Sequence, residues 1–266
     1  MKLFSTVCNL LFNFNRKDEE SMKTVAIIQA RTGSTRLPRK VLRMLGDKPV
    51  LLHVVERLHQ VKGIDEIIIA TTTNHTDEPI VELAMKHNVH YFRGSEENVL
   101  SRYYFAAKER GADTVIRFTA DCPLIDPFVA EAILEEYLKN DCDIMTNGGD
   151  DLTKRTFPRG FDTEVFSFDK LEEAFQRATE SYQKEHVTPY IYEHCKVMHY
   201  LNETDESHYR LTLDTEEDFE LIDVIYQRLY KGKHDFYSRD IIGLLKQEPE
   251  LVRINAHIEQ KKTKQC

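Results

Sequence analysis

The chain has 266 residues, a length typical of one large α/β domain or of one domain with an appended lobe. Hydrophobic residues make up 41% and charged residues 30%, which allows a buried core and argues against intrinsic disorder. The net charge of −9 argues against general nucleic-acid binding, because a protein needs a basic surface to neutralise phosphates.

The cysteine pattern indicates a reducing compartment. The number of cysteines, five, is odd, and no two of them form a Cys-x-x-Cys pair, so we expect neither a disulfide framework nor a zinc site. We therefore predict a cytoplasmic protein.

The first 21 residues differ in character from the rest of the chain. Residues 3–14 are mostly apolar, but Asn9 and Asn13 interrupt them and no small-residue cleavage site comes after them. This run is too short to span a bilayer, so we expect no membrane contact. We interpret residues 1–21 as a non-core extension or a mispredicted start; a docked amphipathic segment is the alternative. A single domain is predicted over residues 22–261.

Strands and helices alternate through the first half. Short β-branched and apolar runs predict strands at residues 24–30, 66–72, 89–92, 114–119 and 143–146. Apolar spacing and capping residues predict helices at residues 50–61, 98–110 and 127–138. A further helix is predicted to begin at Pro79. This order implies a mostly parallel, Rossmann-like α/β sheet flanked by helices, with ligands at the carboxyl ends of its strands.

The second half, about residues 148–261, is less regular and predicts a smaller α+β lobe. The expected strands are at residues 161–166, 197–201 and 209–213. The expected helices are at residues 170–180, 185–194, 216–230 and 238–247. No linker rich in Pro, Gly or Ser separates it from the first half, residues 22–147.

A basic, glycine-containing loop comes directly after the first strand. Its sequence is Arg31-Thr32-Gly33-Ser34-Thr35-Arg36-Leu37-Pro38-Arg39-Lys40. The small residues allow the backbone to approach a phosphate, and the Arg and Lys side chains supply positive charge. The glycine spacing fits neither a Walker loop nor a dinucleotide fingerprint. A phosphate-binding loop is the favoured interpretation, and a solvated basic loop is the alternative.

The pattern Arg-x-Gly-Ser-Thr-Arg-Leu-Pro-x-Lys after a first strand resembles the cytidylyltransferases that make CMP-activated acidic sugars. These include the CMP-Kdo and acylneuraminate synthetases, and the similarity is greatest to the related proteins of spore-coat polysaccharide biosynthesis. The resemblance implies a GT-A-like nucleotidyltransferase fold, Mg²⁺ as cofactor, CTP and an acidic sugar as substrates, and a possible homodimer. It assigns the nucleotide to the first half and the sugar to the second.

The resemblance also assigns roles in the basic loop. Nucleotide binding falls to Arg31, Gly33, Ser34, Thr35, Arg36 and Lys40, of which Arg31 and Lys40 are also expected to be catalytic. One position departs from the family pattern, because Arg39 stands where the family usually has Gly. If that position needs a positive φ, Arg39 is strained.

Asp121 lies just past the fourth strand, at the expected ligand edge. A carboxylate there can bind Mg²⁺, and the resemblance gives it that role; capping of the turn before Pro123 is the alternative. Asp126 precedes Pro127 and a helix, so we expect it to be an N-cap.

Asp214 ends one predicted strand and begins a helix. Glu217 lies three residues later, so a capping box is one interpretation. The resemblance implies a second metal ligand in the segment Asp-Thr-x-Glu-Asp, and we expect Asp214 to be catalytic together with Asp121.

Three further residues are weaker candidates. The region that ends at Ser101 and Arg102 resembles the part of the family that holds the nucleoside, but a solvated helix face is equally compatible. In the second half, Arg159 beside Gly160 is the candidate for the carboxylate of the sugar, because an arginine can donate two hydrogen bonds to one carboxylate.

The resulting hypothesis is a Mg²⁺-dependent transfer of CMP from CTP to an acidic sugar, with release of pyrophosphate, for surface or spore-coat polysaccharide. Three alternatives stay open: a nucleotidyltransferase with another base or acceptor, a nucleotide-sugar glycosyltransferase, and a non-catalytic nucleotide-binding protein. The Asp-x-Asp spacing of Asp141 and Asp143, which a glycosyltransferase would need, precedes its strand and falls at the wrong edge.

Overall fold

A computed structural model describes residues 22–149 and 151–260, without the side chain of Leu152. The predictions for residues 1–21 lie outside the described residues. The fold centres on a seven-stranded sheet, which most of the strands form. In chain order the strands are β1 (Thr24–Gln29), β2 (Met44–Leu45), β3 (Lys48–Pro49), β4 (Glu66–Thr72), β5 (His90–Gly94), β6 (Thr114–Thr119), β7 (Ile144–Thr146), β8 (Glu164–Ser167) and β9 (Val197–His199).

Helices cover both faces of this sheet. They are α1 (Val50–Leu58), α2 (Glu78–Lys86), α3 (Val99–Glu109), α4 (Pro127–Lys139), α5 (Phe168–Arg177), α6 (Ser181–His186), α7 (Pro189–His194), α8 (Glu216–Leu229), α9 (Ser238–Gln247) and α10 (Pro249–Val252). Short 3₁₀ turns occur at Lys40–Leu42, His75–Asp77 and Leu152–Lys154. The predicted mostly parallel sheet flanked by helices is confirmed.

The strand order of the sheet is β5-β4-β1-β6-β8-β7-β9. β8 alone runs antiparallel to its neighbours β6 and β7, and the other pairings in the sheet are parallel. From β1 the chain first goes outward to β4 and β5 and then crosses back to β6 on the other side of β1. Such a reversal opens a crevice at the carboxyl ends of the two strands, which are β1 and β6 here.

The side chains of β1 point alternately into two apolar clusters, one on each face. Ala26 and Ile28 pack with residues of α1 and α4. Val25 and Ile27 pack with residues of α3 and α5. A third cluster joins α8 and α9 to the 209–213 segment and to the start of α1. The second half therefore adds strands to the common sheet and helices with an apolar cluster of their own.

Two predictions in the second half are wrong. Residues 209–213 form no strand, because their hydrogen bonds go to separate loop residues: Leu211 N donates to Arg159 O, and Leu213 N to Asp121 O. The single helix predicted at residues 185–194 is two helices, α6 and α7. It breaks at Val187, whose φ is 71°. Pro189 has no N–H to donate to residue 185, and its ring would clash with that carbonyl in a continuous helix.

Candidate active site

The basic loop leaves β1 and is anchored at its start by a buried carboxylate. Asp77 Oδ1 accepts hydrogen bonds from Thr32 N at 2.7 Å and from the Thr32 hydroxyl at 2.6 Å, and Asp77 also accepts one from the Thr72 hydroxyl. Asp77 stands at the N-cap position of α2, but its side chain caps no helix N–H. Its role is to hold the loop, and no local pattern indicated this partner 45 residues away.

The loop then closes on itself and turns Lys40 inward. Arg39 N donates to Thr32 O at 3.1 Å, and the 3₁₀ turn Lys40–Leu42 comes next. Arg39 has φ 57° and ψ 25°, so the position does need the left-handed conformation that glycine adopts most easily. The side chain of Arg39 is not among those that line the cavity described below.

Lys40, Asp121 and Asp214 meet at the carboxyl edge of the sheet. The Lys40 ammonium donates to Asp121 Oδ2 at 2.6 Å and to Asp214 Oδ1 at 2.9 Å. The backbone brings the two carboxylates together, because Leu213 N donates to Asp121 O at 2.8 Å. Asp121 comes after β6, and its Oδ1 accepts a hydrogen bond from the Thr119 hydroxyl at 2.5 Å. The turn before Pro123 is closed by a backbone hydrogen bond, which Cys122 N donates to Thr119 O.

Guanidinium groups surround the far side of Asp214. Arg210 Nη2 lies 2.9 Å and Arg36 Nη2 lies 3.1 Å from Asp214 Oδ2. Burial acts to raise the pKa of Asp214, but the charge of Lys40, followed by those of Arg36 and Arg210, lowers it to about 2. Burial likewise opposes the charge of Lys40, yet the two carboxylates outweigh it and raise the pKa of Lys40 above its ordinary value.

The cap of α8 differs from the predicted one by a residue. Thr215 is the N-cap, and Thr215 and Asp218 form the capping box, so the pair Asp214 and Glu217 is not the cap. Asp218 is fully buried and also accepts hydrogen bonds from Arg210 Nε at 2.8 Å and from Asp214 N at 2.9 Å. The carboxylate of Asp214 is thereby left free to point toward Lys40. Asp126 does cap α4, as predicted.

The basic loop, Asp121 and Asp214 line one cavity of about 1080 Å³. Its wall includes Arg31, Gly33, Ser34, Thr35, Arg36, Lys40, Arg102, Asp121, Arg159 and Asp214. The sequence-derived candidates are therefore brought together, with one exception. Ser101 is not part of this wall, and its hydroxyl donates to Asn98 O at 2.7 Å within the cap of α3.

Arg31 and Arg102 reach the cavity in different settings. Arg31 Nη1 is paired with Glu96 Oε1 at 3.2 Å in an exposed position. Arg102 is only 2% exposed and donates to Ser95 O at 3.2 Å, so the alternative of a solvated helix face is wrong for this side chain. Burial lowers the pKa of Arg102 below its ordinary value.

A second arginine pair, Arg155 and Arg159, also lines the cavity. Arg155, 7% exposed, places Nη2 2.5 Å from Asp162 Oδ1, and its Nε and Nη1 have no partner among the described residues. The side chain of Arg159 forms no hydrogen bond or ion pair with the part of the chain that the structure describes. Burial and then the charge of Arg155 lower the pKa of Arg159. Guanidinium groups that keep unpaired N–H donors in a poorly hydrated position are suited to an anionic ligand.

An ion pair between two neighbouring strands also lines the cavity. Arg117 of β6 donates to Glu164 Oε2 of β8 at 2.5 Å, and Tyr192 and Thr188 donate to Glu164 Oε1. Sequence reasoning did not identify these residues. An arginine within an otherwise apolar strand was the available signal, because such a side chain is rarely buried without a partner.

The described residues include no group of three or more His, Cys, Asp or Glu side chains that could hold a metal. Two carboxylates, Asp121 and Asp214, face the same point. Mg²⁺ commonly takes one or two protein carboxylates and completes its shell with phosphate oxygens and water. The two carboxylates therefore fit a Mg²⁺ ion whose remaining ligands would be water and the phosphate oxygens of a bound nucleotide.

The comparisons with known proteins point to one family. The family model described as cytidylyltransferase matches residues 25–241. A protein of Methanocaldococcus jannaschii, named as uncharacterized, is 41% identical over 90% of this chain and 97% of its own length. The spore coat polysaccharide biosynthesis protein SpsF of Bacillus subtilis is 34% identical over 84% of this chain and 94% of its own.

The structural comparison agrees with the sequence comparison. The solved structure of a cytidylyltransferase from Leptospira borgpetersenii has a TM-score of 0.81 and 35% identity, and the match covers 90% of this chain and 99% of that one. In the described part of this chain, every helix is too short or too polar to cross a membrane.

Proposed function

The chain belongs to the cytidylyltransferase family, and on that premise we propose that it transfers CMP from CTP to an acidic sugar with release of pyrophosphate. One observation carries the proposal. A single cavity of about 1080 Å³ is lined by a basic loop, a pair of carboxylates and two arginines with unpaired donors. The spore-coat protein among the relatives suggests a role in surface or spore-coat polysaccharide synthesis.

The basic loop is the proposed triphosphate site. Gly33, Ser34 and Thr35 leave room for the backbone N–H groups to approach phosphate oxygens, and Arg31, Arg36 and Lys40 supply positive charge. Arg102, whose Nε has no partner among the described residues, lies on the same wall and is proposed to contact the nucleotide. The resemblance gave Ser101 the same role, but its hydroxyl is engaged within the helix cap.

The pair Arg155 and Arg159 is the proposed site for the carboxylate of the sugar. Arg159, the candidate from the sequence, and Arg155 can together offer several N–H groups to one planar anion. Gly148 supports this arrangement, since a Cβ there would lie 2.3 Å from Asp162 Oδ1 and would displace the partner of Arg155.

In the proposed reaction, a sugar hydroxyl oxygen forms a bond to the α-phosphorus, and the bond from that phosphorus to the bridging oxygen breaks. Pyrophosphate leaves with the electron pair, and the hydroxyl proton passes to water. Catalysis then consists mainly of positioning and charge neutralisation, in which Arg31, Arg36 and Lys40 stabilise the leaving group. Asp121 and Asp214 would hold Mg²⁺, which supplies charge stabilisation at the phosphate and acidifies the attacking hydroxyl.

The direct test measures pyrophosphate release from each of the four nucleoside triphosphates, with Mg²⁺ and a panel of acidic sugars. The panel contains Kdo and neuraminic, legionaminic and pseudaminic acids, each beside its carboxamide. We expect release with CTP and one acid, and a large loss with the matching carboxamide, because the amide no longer pairs with two guanidinium groups. Binding of CTP without release in any combination would favour a non-catalytic nucleotide-binding protein.

Variants of the carboxylates test the metal assignment. Asp121→Asn and Asp214→Asn should fold normally and lose at least about 100-fold in kcat, because charge stabilisation in a site with little water lowers the barrier by several kcal/mol. Asp141→Asn is the matched control, since its side chain is fully exposed and pairs with Lys196 outside the cavity. Turnover near that of the wild type in both site variants would refute the assignment.

A further inference from the structure

Lys40 lies where a cation shared by Asp121 and Asp214 would lie. Its Nζ is 2.6 Å from one carboxylate and 2.9 Å from the other, and no other described cation contacts both. The three side chains are between 12% and 22% exposed, so water screens the contact only in part. The ammonium thus bridges the two groups that are proposed to hold Mg²⁺.

The remaining carboxylate oxygens are also engaged. Asp121 Oδ1 accepts from the Thr119 hydroxyl at 2.5 Å, and Asp214 Oδ2 contacts Arg36 at 3.1 Å and Arg210 at 2.9 Å. A divalent cation that approached this arrangement would lose hydration and meet the positive charge of Lys40 at both ligands. Mg²⁺ gives up its water reluctantly, so we expect little affinity for it in this state.

The charges of the surrounding cluster balance without a metal. Lys40, Arg36 and Arg210 are the cations, and Asp121, Asp214 and the buried Asp218 are the anions. The cluster therefore offers no net negative charge to a divalent ion. A triphosphate in the basic loop changes this balance, because it competes for Lys40 and Arg36.

Lys40 is suited to leave this position. It begins the short 3₁₀ turn Lys40–Leu42 rather than a long helix, and it lines the cavity beside the loop residues proposed to bind phosphate. Lysine carries a compact charge on a flexible stem, so its Nζ can swing between carboxylates and phosphates without movement of the backbone. Arg210 is fixed by two bonds to Asp218 and cannot do the same.

We propose that Lys40 holds the place of the divalent cation in the nucleotide-free protein and vacates it when a nucleoside triphosphate binds. This inference rests on the proposed function. Binding of the cation to Asp121 and Asp214 then depends on the nucleotide. By linkage, the cation strengthens nucleotide binding by the same factor, which is roughly 5- to 150-fold for typical coupled sites.

The test is a Mn²⁺ titration of the nucleotide-free protein, with free Mn²⁺ monitored by its electron paramagnetic resonance signal. Lys40→Met, which has a similar length and no charge, should bind one Mn²⁺ at least about tenfold more tightly than the wild type. Lys40→Arg keeps a cation and should resemble the wild type. The double variant Lys40→Met/Asp214→Asn should lose the site.

Two outcomes would overturn the proposal: a Mn²⁺ affinity of Lys40→Met no higher than that of the wild type, or a gain in affinity in Lys40→Arg equal to that in Lys40→Met. Thermal unfolding provides a second readout if Lys40→Met is poorly stable. Mn²⁺ should then raise the Tm of Lys40→Met, or of Lys40→Gln in its place, and leave that of the wild type unchanged.

Neither measurement uses CTP or a sugar. If the pyrophosphate assay fails while Lys40→Met gains a Mn²⁺ site that needs Asp214, the proposed reaction is wrong and the role of Lys40 stands. If the assay succeeds and no Mn²⁺ site is gained, the reaction stands and Lys40 does not hold the place of the cation.

Discussion

Arg39 shows how a single backbone conformation shapes the proposed nucleotide loop. Its φ of 57° lies in the left-handed region, which costs a residue with a Cβ about 1 kcal/mol, and it starts the turn that places Lys40 between the two carboxylates. The side chain is exposed and lines no part of the cavity. The loop therefore carries a strain that a glycine would remove.

We expect Arg39→Gly to have a free energy of unfolding about 1 kcal/mol higher than Arg39→Ala, measured by urea denaturation. The alanine variant is the control, because it removes the same side chain and keeps the Cβ. At a position with negative φ the order is reversed, since glycine is then less stable than alanine by roughly 0.5–1 kcal/mol. A glycine variant less stable than the alanine variant would therefore contradict the observed conformation.

Residues near one another in sequence could be placed from the sequence, and residues held by distant partners could not. The loop after β1 and Asp121 after β6 were placed correctly at the carboxyl edge, because strand order alone locates that edge. Asp77 and Arg117 were not identified, since their partners lie 45 and 47 residues away. Long-range pairs of this kind depend on which strands become neighbours, which no local pattern specifies.

At the level of elements, a buried histidine pair joins α1 to the loop before α9. His53 Nε2 lies 2.6 Å from Leu45 O, which can only accept, so His53 Nε2 donates there and its Nδ1 accepts from His234 Nε2 at 3.2 Å. Glu56, Arg57 and Lys48 are the charged neighbours. Burial, followed by the charges of Arg57 and Lys48, lowers the pKa of His234 to about 3.

This arrangement predicts a pH-dependent stability. Because the pKa of His234 falls from 6.5 to about 3 on folding, its stabilising contribution is complete above pH 6.5 and is lost as the pH falls toward 3. From pH 6.5 to about 4.5, the free energy of unfolding should fall by about 1.4 kcal/mol per pH unit more in the wild type than in His234→Leu. The comparison cancels the titration of groups common to both proteins. Parallel curves for the two would show that folding does not suppress protonation of His234.

The elements that were predicted wrongly have different physical causes. Residues 209–213 have the alternation of a strand, but their hydrogen-bond partners are the loop residues 159 and 121. Periodicity reports which side chains are buried and not which backbone lies beside them. Pro189 was a local signal for the break between α6 and α7. The capping box of α8, formed by Thr215 and Asp218, could not be distinguished from the similar pair Asp214 and Glu217 one residue earlier.

At the level of the whole molecule, the two halves of the chain are interleaved in one sheet. β8, from the second half, lies between β6 and β7 of the first, and β7 pairs only with β8 and β9 within the described residues. Both main apolar clusters mix the halves: Met145 and Val165 share one, and Ile27 and Phe166 share the other. The two halves are thus packed together on both faces of the sheet.

We therefore expect calorimetry of the full chain to show a single unfolding transition, with equal calorimetric and van't Hoff enthalpies. A fragment of residues 22–147 should not melt cooperatively in far-UV circular dichroism, because it lacks β8 and leaves β7 without a partner and β6 with an open edge. A cooperative melt of this fragment, or two separate transitions in the full chain, would mean that the halves fold independently. Asp121 and Asp214, which come from different halves, would then be held together only by the docking of two domains, and their separation could vary with the bound ligand.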